Sequence, residues 1–174
     1  MIKLFILLVC LASTTWAACS REQTVTNEGR RRCCYYDTKG IPTIGVGFNL
    51  QRSDAKTILS KFGLSLSDVL TDCRLGTQKH CLTNSQMDSI FDSYEYPSAT
   101  QCADSFAPGL SGQRRAAVAD VAFAGCGTLN QFAKMKAALL KKDWATAAKE
   151  LQNSKWCTQV KGRCTLDADC IRNG

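Results

Sequence analysis

Histidine is nearly missing from this chain: His80 is the only one in 174 residues. A lone imidazole gives no basis for a histidine-dependent catalytic triad and little for metal catalysis. His80 itself is expected to be a solvated loop residue. No C-x-x-C spacing occurs, which argues against a zinc site. There is no N-x-[ST] sequon, so N-glycosylation is not expected. No internal repeat or low-complexity linker is present. Long apolar runs are also lacking. The run Leu4 to Ala12 falls well short of the about 20 apolar residues that span a bilayer. No membrane anchor, cofactor or metal is expected.

What is present begins with that short run. Lys3 precedes it and Thr15-Trp16-Ala17 follows as a small-residue cleavage site, so residues 1–17 read as a secretory signal peptide. Residues 18–174 then form one domain, long enough to bury a real core. Of the 11 cysteines, only Cys10 lies in the leader. The even number that remains implies a disulfide framework made in an oxidising, secretory compartment. Connectivity is not readable from spacing. Adjacent Cys33 and Cys34 should take different partners. Cys73 with Cys81 across a polar loop is the first expected pair, and Cys157 with Cys164 the next. The net charge of +7 suits an anionic partner such as a bacterial envelope, or serves solubility alone. The compartment disfavours nucleic acid.

The pattern is α+β, with a hairpin region over about 33–50 and a helical part over about 53–170. A helix is expected from Arg21, capped by Ser20, ending near Gly29 to Arg32. Cys34-Tyr35-Tyr36 reads as a strand, Asp37-Thr38-Lys39-Gly40 as a turn, and Thr43 to Phe48 as the returning strand. Helices are then expected from Ser53 to Lys61 and around Ser67 to Leu70. Thr83-Asn84-Ser85-Gln86 is a capping box that opens a helix reaching at least Tyr94, with Pro97 breaking or kinking it. Ser111 to Ala124, Thr128 to Leu140 and Asp143 to Leu151 complete the set.

Glu28 falls at a helix end, Asp37 at a turn and Thr43 at the start of the returning strand. The hairpin folds positions 37 and 43 toward one cleft. Two carboxylates flanking a cleft are the minimum equipment for glycoside hydrolysis: one donates a proton to the leaving oxygen, the other activates water or attacks the sugar. A threonine hydroxyl could hold that water. Taken alone, a helix glutamate is usually a solvated surface residue and an aspartate before Thr-x-Gly usually a turn former. Arg30-Arg31-Arg32 beside Glu28 suits an anionic wall, or simply the negative end of a helix.

The segment "EGRRRCCYYDTKGIPTIGVGF" resembles the active-site segment of the phage-type lysozymes, the family of the bacteriophage endolysins. Its pattern is Glu, eight residues, Asp or Cys, five residues, Thr, then Ile-Gly-x-Gly. Glu28, Asp37, Thr43, Gly45 and Gly47 fit it without a gap. "RRAAVADVAF" resembles the family's buried central helix, and "WATAAKELQNSKW" a later segment, in the family's order. The resemblance implies a two-lobed lysozyme fold and hydrolysis of the β-1,4 bond between N-acetylmuramic acid and N-acetylglucosamine in bacterial peptidoglycan. It implies inversion, with Glu28 as general acid, Asp37 orienting or activating water, and Thr43 assisting. The two carboxyls would then stand roughly 6.5–9.5 Å apart. Arg163 falls at the family's arginine that pairs with the glutamate, and Phe123 at a residue lining the cleft. A secreted monomer acting in defence or digestion is expected.

Four departures stand out, the first being Pro97, which falls inside the stretch that resembles the middle of the family's helical lobe. Phe48 replaces a histidine that forms an ion pair in the family. Glu150 stands at a substrate-contacting asparagine. The cysteines have no counterpart in a cytosolically made endolysin. Two other readings stay open: a non-catalytic cationic protein that binds bacterial envelopes on this scaffold, and an enzyme acting on another glycan such as chitin.

Overall fold

The computed structural model describes residues 19–174. The expected signal peptide lies outside the described residues. The chain opens with α1 (Arg21–Glu28). A three-stranded antiparallel sheet follows, made of β1 (Arg31–Tyr36), β2 (Pro42–Gly45) and β3 (Phe48–Asn49) in that order. The rest is helical: α2 (Ala55–Ser60), α3 (Leu66–Leu75), α4 (Asn84–Ile90), a π-helical turn over Phe91–Glu95, α5 (Tyr96–Phe106), α6 (Gly112–Ala122), α7 (Cys126–Leu129), α8 (Ala133–Leu140), α9 (Trp144–Gln152), α10 (Lys155–Val160) and α11 (Gly162–Asn173). No helix among the described residues is long and apolar enough to cross a membrane.

Local chemistry accounts for most boundaries. Ser20 caps α1 by accepting from the Gln23 amide at 3.2 Å. Thr83 and Gln86 close the expected capping box on α4. The expected strand from Thr43 to Phe48 is instead two strands, because Val46-Gly47 turns the chain back. Pro97 does not break its helix. It sits in the first turn of α5, directly after the π-helical turn, where the wider winding tolerates a residue with no N–H to give. The helix expected from Ser53 starts at Ala55, the short one near Ser67 extends to Leu75, and Thr128 to Leu140 splits into α7 and α8.

The buried residues group into two main clusters. One joins the sheet to α2, α3 and α4 around Ile44, Phe48, Leu59, Val69 and Ile90. Phe48, the residue standing in place of histidine, is fully buried there. The other, larger cluster packs α5, α6, α8, α9 and α11 around Phe106, Val118, Leu151 and Ile171. Val25, Val46 and Phe91 form a third, small group, and Phe123 packs against both it and the larger cluster.

Five disulfides tie these parts together. Cys157 pairs with Cys164 as expected. Cys73 and Cys81 do not pair with each other: Cys73 bonds Cys34 and Cys81 bonds Cys33. The reason is a bulge in β1. Arg31 lies opposite Gly45 and Tyr35 opposite Thr43, so three residues of β1 oppose one of β2. The neighbouring cysteines within that bulge reach α3 and the loop after it separately. Cys102–Cys126 links α5 to α7, and Cys19–Cys170 ties the start of α1 to α11.

Candidate active site

Glu28 is the last residue of α1, and its side chain is about one-fifth exposed (21 %). Gly29 ends the helix, its amide donating to the Val25 carbonyl at 3.0 Å. Two neighbours fix the carboxylate. Arg163 at the start of α11 brings Nη2 to 2.8 Å from Glu28 Oε1. On the other side the β2–β3 turn comes so close that a Cβ at Gly47 would stand 3.2 Å from Glu28 Oε2. Gly47 also has φ +73°, a conformation that side chains rarely adopt. The second glycine of Ile-Gly-x-Gly therefore has two physical reasons for its identity, its own backbone conformation and the close approach of Glu28.

Arg163 is itself largely buried, at 15 % side-chain exposure. Its Nε lies 2.6 Å from Asp120 Oδ2, and its Nη2 donates to the Asp120 carbonyl at 2.9 Å. Burial works against its charge, but Asp120 first and Glu28 second outweigh that and push its pKa above the ordinary value. Asn27, beside Glu28, donates to Asp120 Oδ2 at 3.1 Å. The neighbours of Glu28 are thus assembled from α1, α6 and α11, elements far apart in sequence.

Asp37 opens the turn between β1 and β2. Its Oδ1 accepts from the amides of Lys39 and Ile41, both at 2.8 Å, in the manner of an Asx turn. Its Oδ2 bonds no described residue and is open to water or a ligand. Thr43 is buried, with 4 % exposure, and its hydroxyl donates to the Ile41 carbonyl at 3.0 Å. That proton is committed, so toward a water Thr43 can act only as an acceptor. Tyr35 stands opposite Thr43 on β1. Burial, then the charge of Glu28, then that of Asp37 raise its phenol pKa, against the opposing Arg31. One phenol therefore feels both carboxylates. Neither Tyr35 nor Asp120 was singled out from the sequence.

The remaining expected residues are placed as follows. Phe123, just past α6, is half-buried and stacks on Phe91 with ring centroids 5.6 Å apart. Glu150 on α9 borders a shallow hollow with Gln131, Phe132 and Ser154. His80 is more engaged than a solvated loop residue: its amide donates to Asp72 Oδ2 at 2.6 Å, and its Nδ1 lies 3.1 Å from the same oxygen. The hydrogen bond from Thr77, followed by those from His80, lowers the Asp72 pKa to about 2.

Helices packed on a small antiparallel sheet, with a helix-end glutamate beside a hairpin turn, make an α+β arrangement compatible with a lysozyme-like fold. Known proteins narrow this. No family model matches the chain. A probable T4-type lysozyme of Dictyostelium discoideum is 27% identical over 144 residues, covering 79% of this chain and 84% of that protein. The pre-baseplate central spike protein Gp5 of Enterobacteria phage T4 is 27% identical over 154 residues, covering 85% of this chain. This chain spans only 26% of Gp5. The chain is a relative of the phage-type, or T4-type, lysozymes.

Proposed function

We propose that the chain is a secreted muramidase that hydrolyses the β-1,4 bond between N-acetylmuramic acid and N-acetylglucosamine in peptidoglycan. One observation carries the reading: Glu28 is clamped between Arg163 and the Gly47 turn. A carboxylate held from two sides, with a second carboxylate presented by the β1–β2 turn with a free oxygen, is equipped for acid–base work on a glycosidic bond. The name of the Dictyostelium relative supports it.

In this reading the two main core clusters are two lobes of one domain over 18–174, and the cleft runs between them past Phe123. Glu28 protonates the leaving glycosidic oxygen. Asp37 takes a proton from the attacking water through Oδ2, and Thr43 helps align that water by accepting from it. The water attacks from the opposite face of the sugar, so the anomeric configuration inverts. Arg163 does not neutralise Glu28 alone, because Asp120 shares it. The five disulfides suit a secreted protein.

The test is release of reducing sugar and loss of turbidity on purified peptidoglycan, using the oxidised protein beside Glu28→Gln. Removing a general acid should lower turnover by about 10²- to 10⁴-fold. Proton NMR of the first-formed product should show the α-anomer. A Glu28→Gln variant as active as the parent would sink the acid assignment. Preferential cleavage of chitin would change the substrate. If both proteins leave walls intact yet kill bacteria, the protein is a cationic envelope binder and not a muramidase.

A further inference from the structure

Behind Arg163 lies a group for which the proposed reaction has no use. Asp167 sits one turn beyond Arg163 on α11 and is 1 % exposed. Asp120, facing it from α6, is 2 % exposed. Among the described residues, two buried side-chain oxygens have no hydrogen-bond partner: Asp120 Oδ1 and Asp167 Oδ2. The other Asp167 oxygen is 3.7 Å from Cys19 Sγ, which is bonded to Cys170 and carries no proton to give. Two buried, ionised carboxylates with unpartnered oxygens, on helices packed against each other, would carry a large desolvation and repulsion cost. A single proton placed between them satisfies both oxygens at once.

We propose that Asp167 is held as a neutral carboxylic acid that donates its proton to Asp120, and that this pair positions Arg163 and, through it, Glu28. Donation to Asp120 Oδ1 leaves Oδ2 for Arg163 Nε and Asn27 Nδ2. It also keeps the charges near Arg163 at two carboxylates for one guanidinium. An ionised Asp167 would compete with Glu28 for the same cation. The charged groups acting on Asp167 are Asp120 from α6 and Arg163 from its own helix. Burial first, then the Asp120 charge and hydrogen bond, push Asp167 up to about 9, against Arg163. Asp167 and Asp120 are positioning residues, since neither touches the reacting atoms. The catalytic half of the inference rests on the muramidase reading; the shared proton does not.

The first measurement is a carbon-13 NMR titration of the aspartate carboxyls in the full, oxidised chain, with Asp167→Asn supplying the assignment. One carboxyl of the pair should stay protonated through neutral pH and ionise near 9. If both carry their charge below about pH 5, near the ordinary aspartate value, the shared proton does not exist and the proposal fails. The second measurement is kcat and KM on peptidoglycan against pH. Asp167→Asn offers an amide N–H in place of the acid O–H. It should keep kcat within about three-fold and lose the alkaline inflection. Asp167→Ala should lower kcat by about ten-fold or more with KM unchanged, as expected for a displaced acid. If Asp167→Asn falls as far as Asp167→Ala while near-ultraviolet circular dichroism shows both folded, the donor role is wrong. If the parent has no wall activity, the muramidase reading fails, and the titration alone decides the pair.

Discussion

Arg163 and Arg52 each hold two carboxylates, and the two sites spend their guanidinium differently. Arg52 gives both prongs of its fork to Asp54, at 2.9 and 2.8 Å, and reaches Glu95 with the remaining nitrogen. Asp54 is half exposed, whereas Glu95 is only 13 % exposed. The pKa of Asp54 is lowered, chiefly by its hydrogen bonds from Arg52. Burial pushes Glu95 up to about 7 in spite of Arg52. Arg163 instead divides its fork between Glu28 and Asp120, one prong each. A guanidinium favours the carboxylate that meets its fork squarely, not the one most deeply buried. The second site thus leaves a buried glutamate ready to take a proton, while the first leaves that part to Asp167.

The contrast is broken most severely at Arg163. Arg163→Met strands Glu28 and Asp120 without a cation, and urea unfolding should show a loss of about 3–5 kcal/mol. The folded remainder should turn over peptidoglycan about 100-fold more slowly, as a misplaced acid would.

Next comes the pH dependence of stability. Asp167 has a folded pKa raised above its unfolded value, so it binds a proton more tightly in the folded state. Its stabilising share is complete below about pH 4 and is lost as pH rises toward about 9. Across that window the melting temperature of the parent should fall with pH. Asp167→Asn should remove much of that fall, a slope of up to about 1.4 kcal/mol per pH unit. Glu95 follows the same sign over a shorter window, from its unfolded value up to about 7. Glu95→Gln should therefore flatten only the lower part of the curve. The smallest effect belongs to Arg52→Met. Below about pH 7 Glu95 already holds its proton, so loss of the cation strands little charge there. At pH 6 the loss should be about 1 kcal/mol, with wall hydrolysis within about three-fold of the parent. A loss at Arg52 as large as that at Arg163 would erase the distinction.

Legibility from sequence followed the range of the interactions. The Ser20 cap, the Thr83–Gln86 box and the hairpin turn are set by residues a few positions apart, and all stand where expected. Cys157–Cys164 was legible for the same reason, with a separation of 7. Cys73 and Cys81 looked equally local, but the β1 bulge offered each a nearer partner. The helical part was expected to reach about 170, but α10 and α11 were not delimited within it, because α11 buries Cys164, Asp167 and Cys170 where an apolar stripe would be sought. Asp120 reads as a solvated interruption in an alanine- and valine-rich helix, since its partner Arg163 lies 43 residues away. Arg163 itself was reached only through the family resemblance. Tyr35 gave no signal, because what distinguishes it is the pair of carboxylates that the hairpin and α1 bring to it.

The clamp on Glu28 also has a timetable. α1 and the hairpin leave the ribosome early, whereas α11 follows every element it packs against. Throughout that interval the glutamate exists without Arg163, and Asp120 without either partner. Only once α11 has docked, tied to Cys19 through Cys170, does Arg163 meet Glu28. Docking of α11 is then the last step in assembling the site, and a chain without it holds an incomplete one.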